Sequence, residues 1–498
     1  MSGRDRMTWS LVGMLAVAVL AAPAVHAAPR QQELDRLVAK YHELRQFNGA
    51  VLVADGKGVV LKKGYGFANF EWREPNTPDT KFRIGSITKQ FTAMVIMQLV
   101  NEGKLKLDDT VSMYLPDYRK DTGTRVTVTQ LLNHTSGIPS YTSAPGFFDK
   151  QARNPAKVAE FVKEHASGDL EFEPGTKWAY NNSGYFLLGA IIEKVTGKPY
   201  AQVVRERIFE PLGMKNSGYD LHATVLPKRA SGYELKPEEG YVNAPYLDMS
   251  LPYAAGSLYS TVEDLFLWDR ALYLDTLLPE PLKKKMFTPG MSEYAFGWLV
   301  KPVMLNDGKT EVATVHHGGG INGFSAFFVR VPERKEVVVL LDNTSRGDKI
   351  QELAAGLLSI LHGIAPQPPR PEVGETLRAI LAKAPVAEAV ARYRDLKATK
   401  ADAYDFSEGQ LNRVGYWLLK EGRVPDAIEV FKLNVEMFPA SGNPYDSLGE
   451  AYLAGGDLER AKASYRKALE LDPSNRGAEA ALQQLQAPVG APAAKPTP

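Results

Sequence analysis

The chain has 498 residues, too many for a single domain at roughly 100–200 residues each. Its 44% hydrophobic and 23% charged residues are those of a folded globular protein and exclude a largely disordered chain. Fifty-nine basic against 58 acidic side chains give no general pull toward nucleic acid. With no cysteine, disulfides, thiolate nucleophiles and cysteine-ligated metals are excluded.

At the N-terminus, Arg4 and Arg6 precede an apolar run from Leu11 to Ala22, and small residues follow at Val25 and Ala27. This is the three-part pattern of a secretory signal, with cleavage before Ala28. The run is about a dozen residues, short of the roughly 20 that cross a bilayer, which weighs against an uncleaved anchor. Residues 1–27 are therefore expected to be a signal peptide. The mature protein is expected to be exported and periplasmic, with no membrane span.

Gln31 to Arg45 predicts an amphipathic helix. Gly49–Val53 and Val59–Tyr65 flank the turn Ala54-Asp55-Gly56-Lys57-Gly58 and predict a hairpin. Helical patterns and Pro/Gly-rich loops occupy Ser86 to about Phe287. Strand character returns at Val312–His316, Phe324–Val331 and Glu336–Leu341, before a helix from about Lys349 to His362. Strands at both ends of a helical middle predict an α+β architecture over residues 28–365, its terminal strands sharing one antiparallel sheet.

Residues 366–371 are Pro-rich and predict a semi-rigid linker. Beyond them the pattern is helix without strands. Gly415 recurs as Gly449, Ala427 as Ala461, Phe431 as Tyr465 and Pro439 as Pro473, each pair 34 residues apart. That is the tetratricopeptide period, and Leu448, Tyr452 and Ala468 complete the second copy. The expectation is an all-α domain over 372–487 with repeats at about 408–441 and 442–475. Two repeats are few, so helices around Glu375–Leu396 and Asn475–Gln486 are expected to cap them. Residues 488–498 predict a disordered tail.

For chemistry, no G-x-S-x-G elbow or Walker loop occurs, and His42-Glu43 lacks the second histidine of a zinc motif because position 46 is Gln. No metal and no cofactor are expected. What remains is Ser86-Ile-Thr-Lys89, whose i and i+3 side chains share a helix face. At a helix N-terminus the free N–H groups would favour developing negative charge on Ser86. A desolvated Lys89 could serve as base. Spacing alone does not settle it, since Ser464-Tyr-Arg-Lys467 repeats the pattern on a helix of the repeat region. Tyr180-Asn181-Asn182 could supply a proton carrier and a substrate clamp, or merely a buried tyrosine and a helix-capping asparagine. His316-His317-Gly318-Gly319-Gly320 permits close backbone approach by a ligand, or forms a plain turn.

Together, Phe82-Arg-Ile-Gly-Ser86-Ile-Thr-Lys89, Leu131-Leu-Asn-His134-Thr-Ser-Gly137, Tyr180-x-Asn182, Pro211-Leu-Gly-Met214 and His317-x-Gly319 resemble the serine β-lactamase-related family over about residues 30–365. That family includes class C β-lactamases, D-alanyl-D-alanine carboxypeptidases, D-aminopeptidases and esterases. The resemblance implies the penicillin-recognising fold, with an antiparallel sheet of five or more strands flanked by helices. It implies a nucleophile at Ser86, proton transfer shared by Lys89 and Tyr180, and contact of Asn182 with the substrate amide. The backbone N–H of Ser86, with one from the Gly319-Gly320 strand, would form the oxyanion hole, and Tyr180 would serve as base when water releases the acyl group. His317 stands where the lactamases carry a lysine. Neutral near pH 7, it implies a weaker, pH-dependent grip on a substrate carboxylate, and a peptidase or esterase rather than a strong β-lactamase. His316-x-Gly318 also fits that register, and His134 reads as a structural loop residue. The expected function is an exported serine hydrolase acting on an ester, D-amino-acid peptide or lactam. The competing reading is a catalytically weak or inactive envelope-binding adaptor, recruiting protein partners through its repeats.

Overall fold

A computed structural model describes residues 27–236 and 239–486. The N-terminal helix α1 (Ala27–Glu43) leads into strands β1 (Gly49–Asp55) and β2 (Gly58–Tyr65), the antiparallel hairpin expected. The middle holds the long helices α2 (Thr88–Asn101), α3 (Asn182–Thr196) and α4 (Val262–Ala271). Strands β3 (Leu299–Met304), β4 (Glu311–Ile321), β5 (Phe324–Val331) and β6 (Glu336–Asp342) follow, then helix α5 (Gly347–Leu361). The six strands form one antiparallel sheet in the order β3-β4-β5-β6-β1-β2, so both ends of the domain meet where β1 pairs with β6.

The sheet is buried on both faces, which explains the nearly unbroken apolar runs of β5 and β6. Val338 and Leu340 join Val51, Val53, Leu34 and Leu357 in the core under α1 and α5. The alternate residues Val337, Val339 and Leu341 join Ala50, Leu52, Phe91 and Trp268 in the larger core on the other face. Strand β3 was not anticipated. It is an edge strand, half exposed, and carries Lys301 and Pro302, so it lacks the period-two apolar signal. Short strands and the hairpin Tyr233–Lys236/Gly240–Asn243 also interrupt the helical middle. The glycine run is not a turn but the C-terminal end of a strand. Strand β4 continues through it to Ile321, paired with β5 throughout.

Beyond the sheet domain lie α6 (Val373–Leu381), α7 (Val386–Thr399), α8 (Glu408–Lys420), α9 (Val424–Met437), α10 (Gly442–Ala454), α11 (Leu458–Leu471) and α12 (Arg476–Gln486). The glycines of the repeat serve packing: a Cβ on Gly415 would meet the Phe431 ring at 2.4 Å, and one on Gly449 the Tyr465 ring at 2.7 Å. The segment expected as a cap, Glu375–Leu396, forms the helical pair α6 and α7, which packs against the first repeat, α8 and α9. It escapes the 34-residue comparison because Leu381 stands where the later copies have glycine. Tyr393 also precedes Phe431 by 38 residues, displaced by the longer connection before α8.

The Pro-rich linker is tied down at several points. Asn306 Oδ1 accepts the Gln367 N–H at 3.0 Å, Arg370 O accepts from Gln46 at 2.7 Å, and Pro371 O accepts the Asp405 N–H at 2.9 Å. Beside it lies a buried ionic cluster. Glu372 pairs with Arg346 at 2.6 Å and Arg413 at 3.0 Å, and Lys349 reaches Asp405 at 3.2 Å. Gln410 donates to both Asp405 and Glu372. Burial pushes the Glu372 carboxyl up, but its three basic neighbours outweigh this and hold it below the usual range. The expected signal peptide falls, apart from Ala27, outside the described residues, as does the expected tail.

Candidate active site

Ser86 lies in a single 3-10 turn, Gly85–Ile87, that runs directly into α2. Helix α2 is buried from Thr88 to Leu99, so it is anchored all round and presents its N-terminus to the site. Gly85 has φ +49°, and a Cβ there would lie 2.9 Å from the Gly320 nitrogen. A Cβ on Gly319 would lie 2.0 Å from the Ile84 carbonyl oxygen. The glycines thus let strand β4 pass against the backbone that carries Ser86.

Lys89, one turn on, is fully buried. Its Nζ lies 2.8 Å from Asn182 Oδ1, 3.0 Å from the Ala255 carbonyl oxygen and 3.2 Å from Ser86 Oγ. The first two atoms can only accept, so Lys89 donates to them. A neutral amine then turns its lone pair toward the serine hydroxyl. Burial, with no carboxylate beside it among the described residues, drives its pKa well below that of an ordinary lysine.

Tyr180 Oη lies 2.8 Å from Ser86 Oγ and donates to it. Burial raises this phenol above its ordinary range, so it is a proton donor at neutral pH. The residue as a whole remains 37% exposed, although its hydroxyl is buried against Ser86. Asn181 caps α3 by accepting the Gly184 N–H at 2.8 Å, whereas Asn182 begins the helix and turns to Lys89. Its amide donates to Thr142 Oγ1 at 3.0 Å, and its own N–H donates to Ser140 Oγ at 3.1 Å. The capping and clamping roles offered by Tyr180-Asn181-Asn182 are divided between neighbouring residues.

His134 is buried with φ +64°. Its carbonyl accepts the Ala179 N–H at 3.0 Å and its Nδ1 accepts the Asn181 N–H at 3.1 Å. It therefore holds the segment carrying Tyr180 from both sides, in keeping with a structural role. Burial, aided by Lys89 and His317, keeps the imidazole neutral.

His317 corrects an expectation. Its alternation in β4 turns it toward Tyr294 and Tyr180, while His316 faces away onto Phe327, which resolves the register. Yet both ring nitrogens are engaged. Gly318 O can only accept, so Nδ1 at 2.6 Å carries the proton; Nε2 then accepts from Tyr294 Oη at 2.9 Å. Burial lowers its pKa to about 3, with Lys89 adding to the effect. The ring is neutral across the physiological range, and a pH-dependent grip on a carboxylate has no support here. Among the described residues, Ser86, Asn182 and Gly320 line the cavity beside the hydroxyl, whereas His317 and Gly319 do not.

Sequence reading assigned no individual role to Ser140, Thr142, Tyr294 or the Ala255 carbonyl. None belongs to a motif with fixed spacing: Ser140 and Tyr294 lie between regular elements, Thr142 in a 3-10 turn and Ala255 in the short helix Tyr253–Gly256. No group of three or more potential metal ligands occurs among the described residues.

An antiparallel sheet with a buried helix delivering a Ser-x-x-Lys pair against a glycine-bearing strand defines the class. The chain belongs to the beta-lactamase family, whose family model matches residues 34–360. A tetratricopeptide-repeat model matches residues 443–475. Penicillin-binding protein 4* of Bacillus subtilis (strain 168) is 31% identical, over 65% of this chain and 74% of its own. The octameric penicillin-binding protein homologue from Pyrococcus abyssi is 33% identical with a TM-score of 0.59, covering 68% of this chain and 78% of that one. The D-amino acid amidase from Ochrobactrum anthropi SV3 is 27% identical with a TM-score of 0.58, covering 68% and 99%.

Proposed function

We propose that the protein is an exported serine hydrolase that cleaves an ester or amide through a Ser86 acyl-enzyme. The observation that carries this is the placement of Ser86 Oγ between Tyr180 Oη at 2.8 Å and Lys89 Nζ at 3.2 Å. Lys89 takes the Ser86 proton as Oγ attacks the carbonyl carbon. The carbonyl electrons move onto oxygen, held by the N–H groups of Ser86 and Gly320; one such donor is worth about 3–4 kcal/mol of barrier. Collapse expels the leaving group, which takes a proton from Tyr180, and the Lys89 ammonium restores that phenol. Water then attacks the ester, giving its proton to Lys89, and Ser86 is released. The raised phenol favours Lys89 over Tyr180 as base in both steps.

The kinship with penicillin-binding proteins and a D-amino acid amidase supports an acyl substrate of the amide or peptide kind. The repeats are proposed to hold a protein partner, as their architecture does elsewhere. A pure adaptor would have no physical need for the intact Ser86, Lys89 and Tyr180 contacts. Incubation with a fluorophosphonate and, separately, a penicillin, followed by intact-mass spectrometry, tests the proposal. One added mass on wild type and none on Ser86→Ala is expected. Unlabelled but folded wild-type protein would transfer the argument to the adaptor.

A further inference from the structure

The cavity that Ser86 opens into measures about 140 Å³, and every described residue lining it is uncharged. Its apolar wall comes from Tyr141, Phe147, Phe148, Leu247, Leu251 and Ile321. An enclosed cavity of about 150 Å³ lined by Leu, Ile and Phe takes up benzene, which sets the size of group that this partly open cavity can hold. The polar side chains in the lining are short and neutral, and Asn182 and Thr142 are bonded to each other at 3.0 Å.

Nor do the basic side chains around Ser86, those of Lys89 and His317, supply a free cation for an anionic substrate. His317 has one nitrogen bound to Gly318 O and the other to Tyr294 Oη. Lys89 Nζ is directed at Asn182, Ala255 and Ser86. A carboxylate brought here would lose its hydration without a countercharge, a strongly unfavourable exchange.

We infer that the site is selective for a neutral acyl donor whose side chain is an aryl or branched alkyl group of about the size of a benzene ring, and that it disfavours a carboxylate on either side of the scissile bond. The inference rests on Ser86 being the nucleophile. Phenyl-sized apolar groups gain from the six-residue wall, whereas an acetyl group leaves it empty.

Two matched substrate sets test this on the full-length protein, each rate divided by that compound's hydroxide rate. On the acyl side the set is p-nitrophenyl phenylacetate, acetate and hydrogen succinate. On the leaving side it is S-phenylacetyl thioglycolate and its neutral amide. The expected kcat/KM for phenylacetate exceeds acetate by about tenfold or more, the scale of an apolar group gained in a pocket. The neutral member of each pair should exceed the carboxylate by at least about tenfold. Phe148, 47% exposed, can be truncated at the rim, and Phe148→Ala should narrow the phenylacetate-to-acetate ratio. Equal or faster turnover of the carboxylates, or an unchanged ratio in Phe148→Ala, overturns the inference if Ser86→Ala is inactive on every substrate. Full turnover by Ser86→Ala overturns the nucleophile assignment itself.

Discussion

Replacing Lys89 with methionine keeps an unbranched side chain of similar length and removes only the amine. An exposed lysine would be neutral in about 0.04% of molecules at pH 7, too few for an effective base. Complete burial and the absence of a neighbouring carboxylate supply the shift that Lys89 needs. General-base assistance is worth about 10²–10⁴ in rate, so Lys89→Met should slow acylation by that factor, about 3–5 kcal/mol. The same change leaves Asn182 Oδ1 and the Ala255 carbonyl without a donor, at about 1–3 kcal/mol each. This is offset because a desolvated lysine is no longer buried, so the fold should survive. The pH dependence has a definite sign. The base works only when neutral, so wild-type acylation should fall as pH drops through the depressed lysine pKa, and this limb should vanish in Lys89→Met. A stopped-flow burst with a chromogenic ester from pH 5 to 9 reads both effects. A variant retaining more than a tenth of the wild-type acylation rate, with the limb intact, would falsify the assignment of Lys89.

Gly319→Ala should abolish acylation, because its Cβ would lie 2.0 Å from the Ile84 carbonyl and push β4 off the Ser86 turn; normal burst kinetics would show that the close approach is unnecessary. His134, His316 and His317 are all held neutral below their unfolded pKa near 6.5, the last two with values of about 4 and about 3. The unfolded chain binds more protons, so their contribution is complete above about pH 6.5 and is lost as pH falls toward 3, with slopes approaching about 1.4 kcal/mol per unit each. Urea midpoints at pH 7.5 and 5.0 check this, and His317→Gln should reduce the difference by the share of one histidine of the three. Glu372→Ala removes the buried carboxylate that joins Arg346, Lys349 and Arg413, leaving Arg346 to Glu375, Lys349 to Glu352 and Asp405, and the exposed Arg413 to Asp348. Because those partners remain, the expected loss lies below the roughly 3–5 kcal/mol of an uncompensated buried charge. Calorimetry should show the repeats separating from the hydrolase domain, with faster proteolysis near Pro369; a single unshifted transition would mean that the cluster does not hold them together.

Much of this protein is written locally. The hairpin at Gly49–Tyr65, the apolar strands ending at Leu341 and the 34-residue spacing of Gly415 and Gly449 follow from periodicity, because each signal lies within one element or recurs at a fixed distance. Ser86 and Lys89 could be paired from the sequence because three residues make nearly one helical turn. What surrounds them could not. That Lys89 is buried without a countercharge depends on Asn182 and Ala255, 93 and 166 residues away along the chain. That His317 is locked rather than free depends on Tyr294 in a loop before β3. Burial and partner identity are properties of the packed chain. The sequence alone therefore determined the main strands, the repeat period and the Ser86–Lys89 spacing, while tertiary packing decided the burial of Lys89 and the uncharged lining of the cavity beside Ser86.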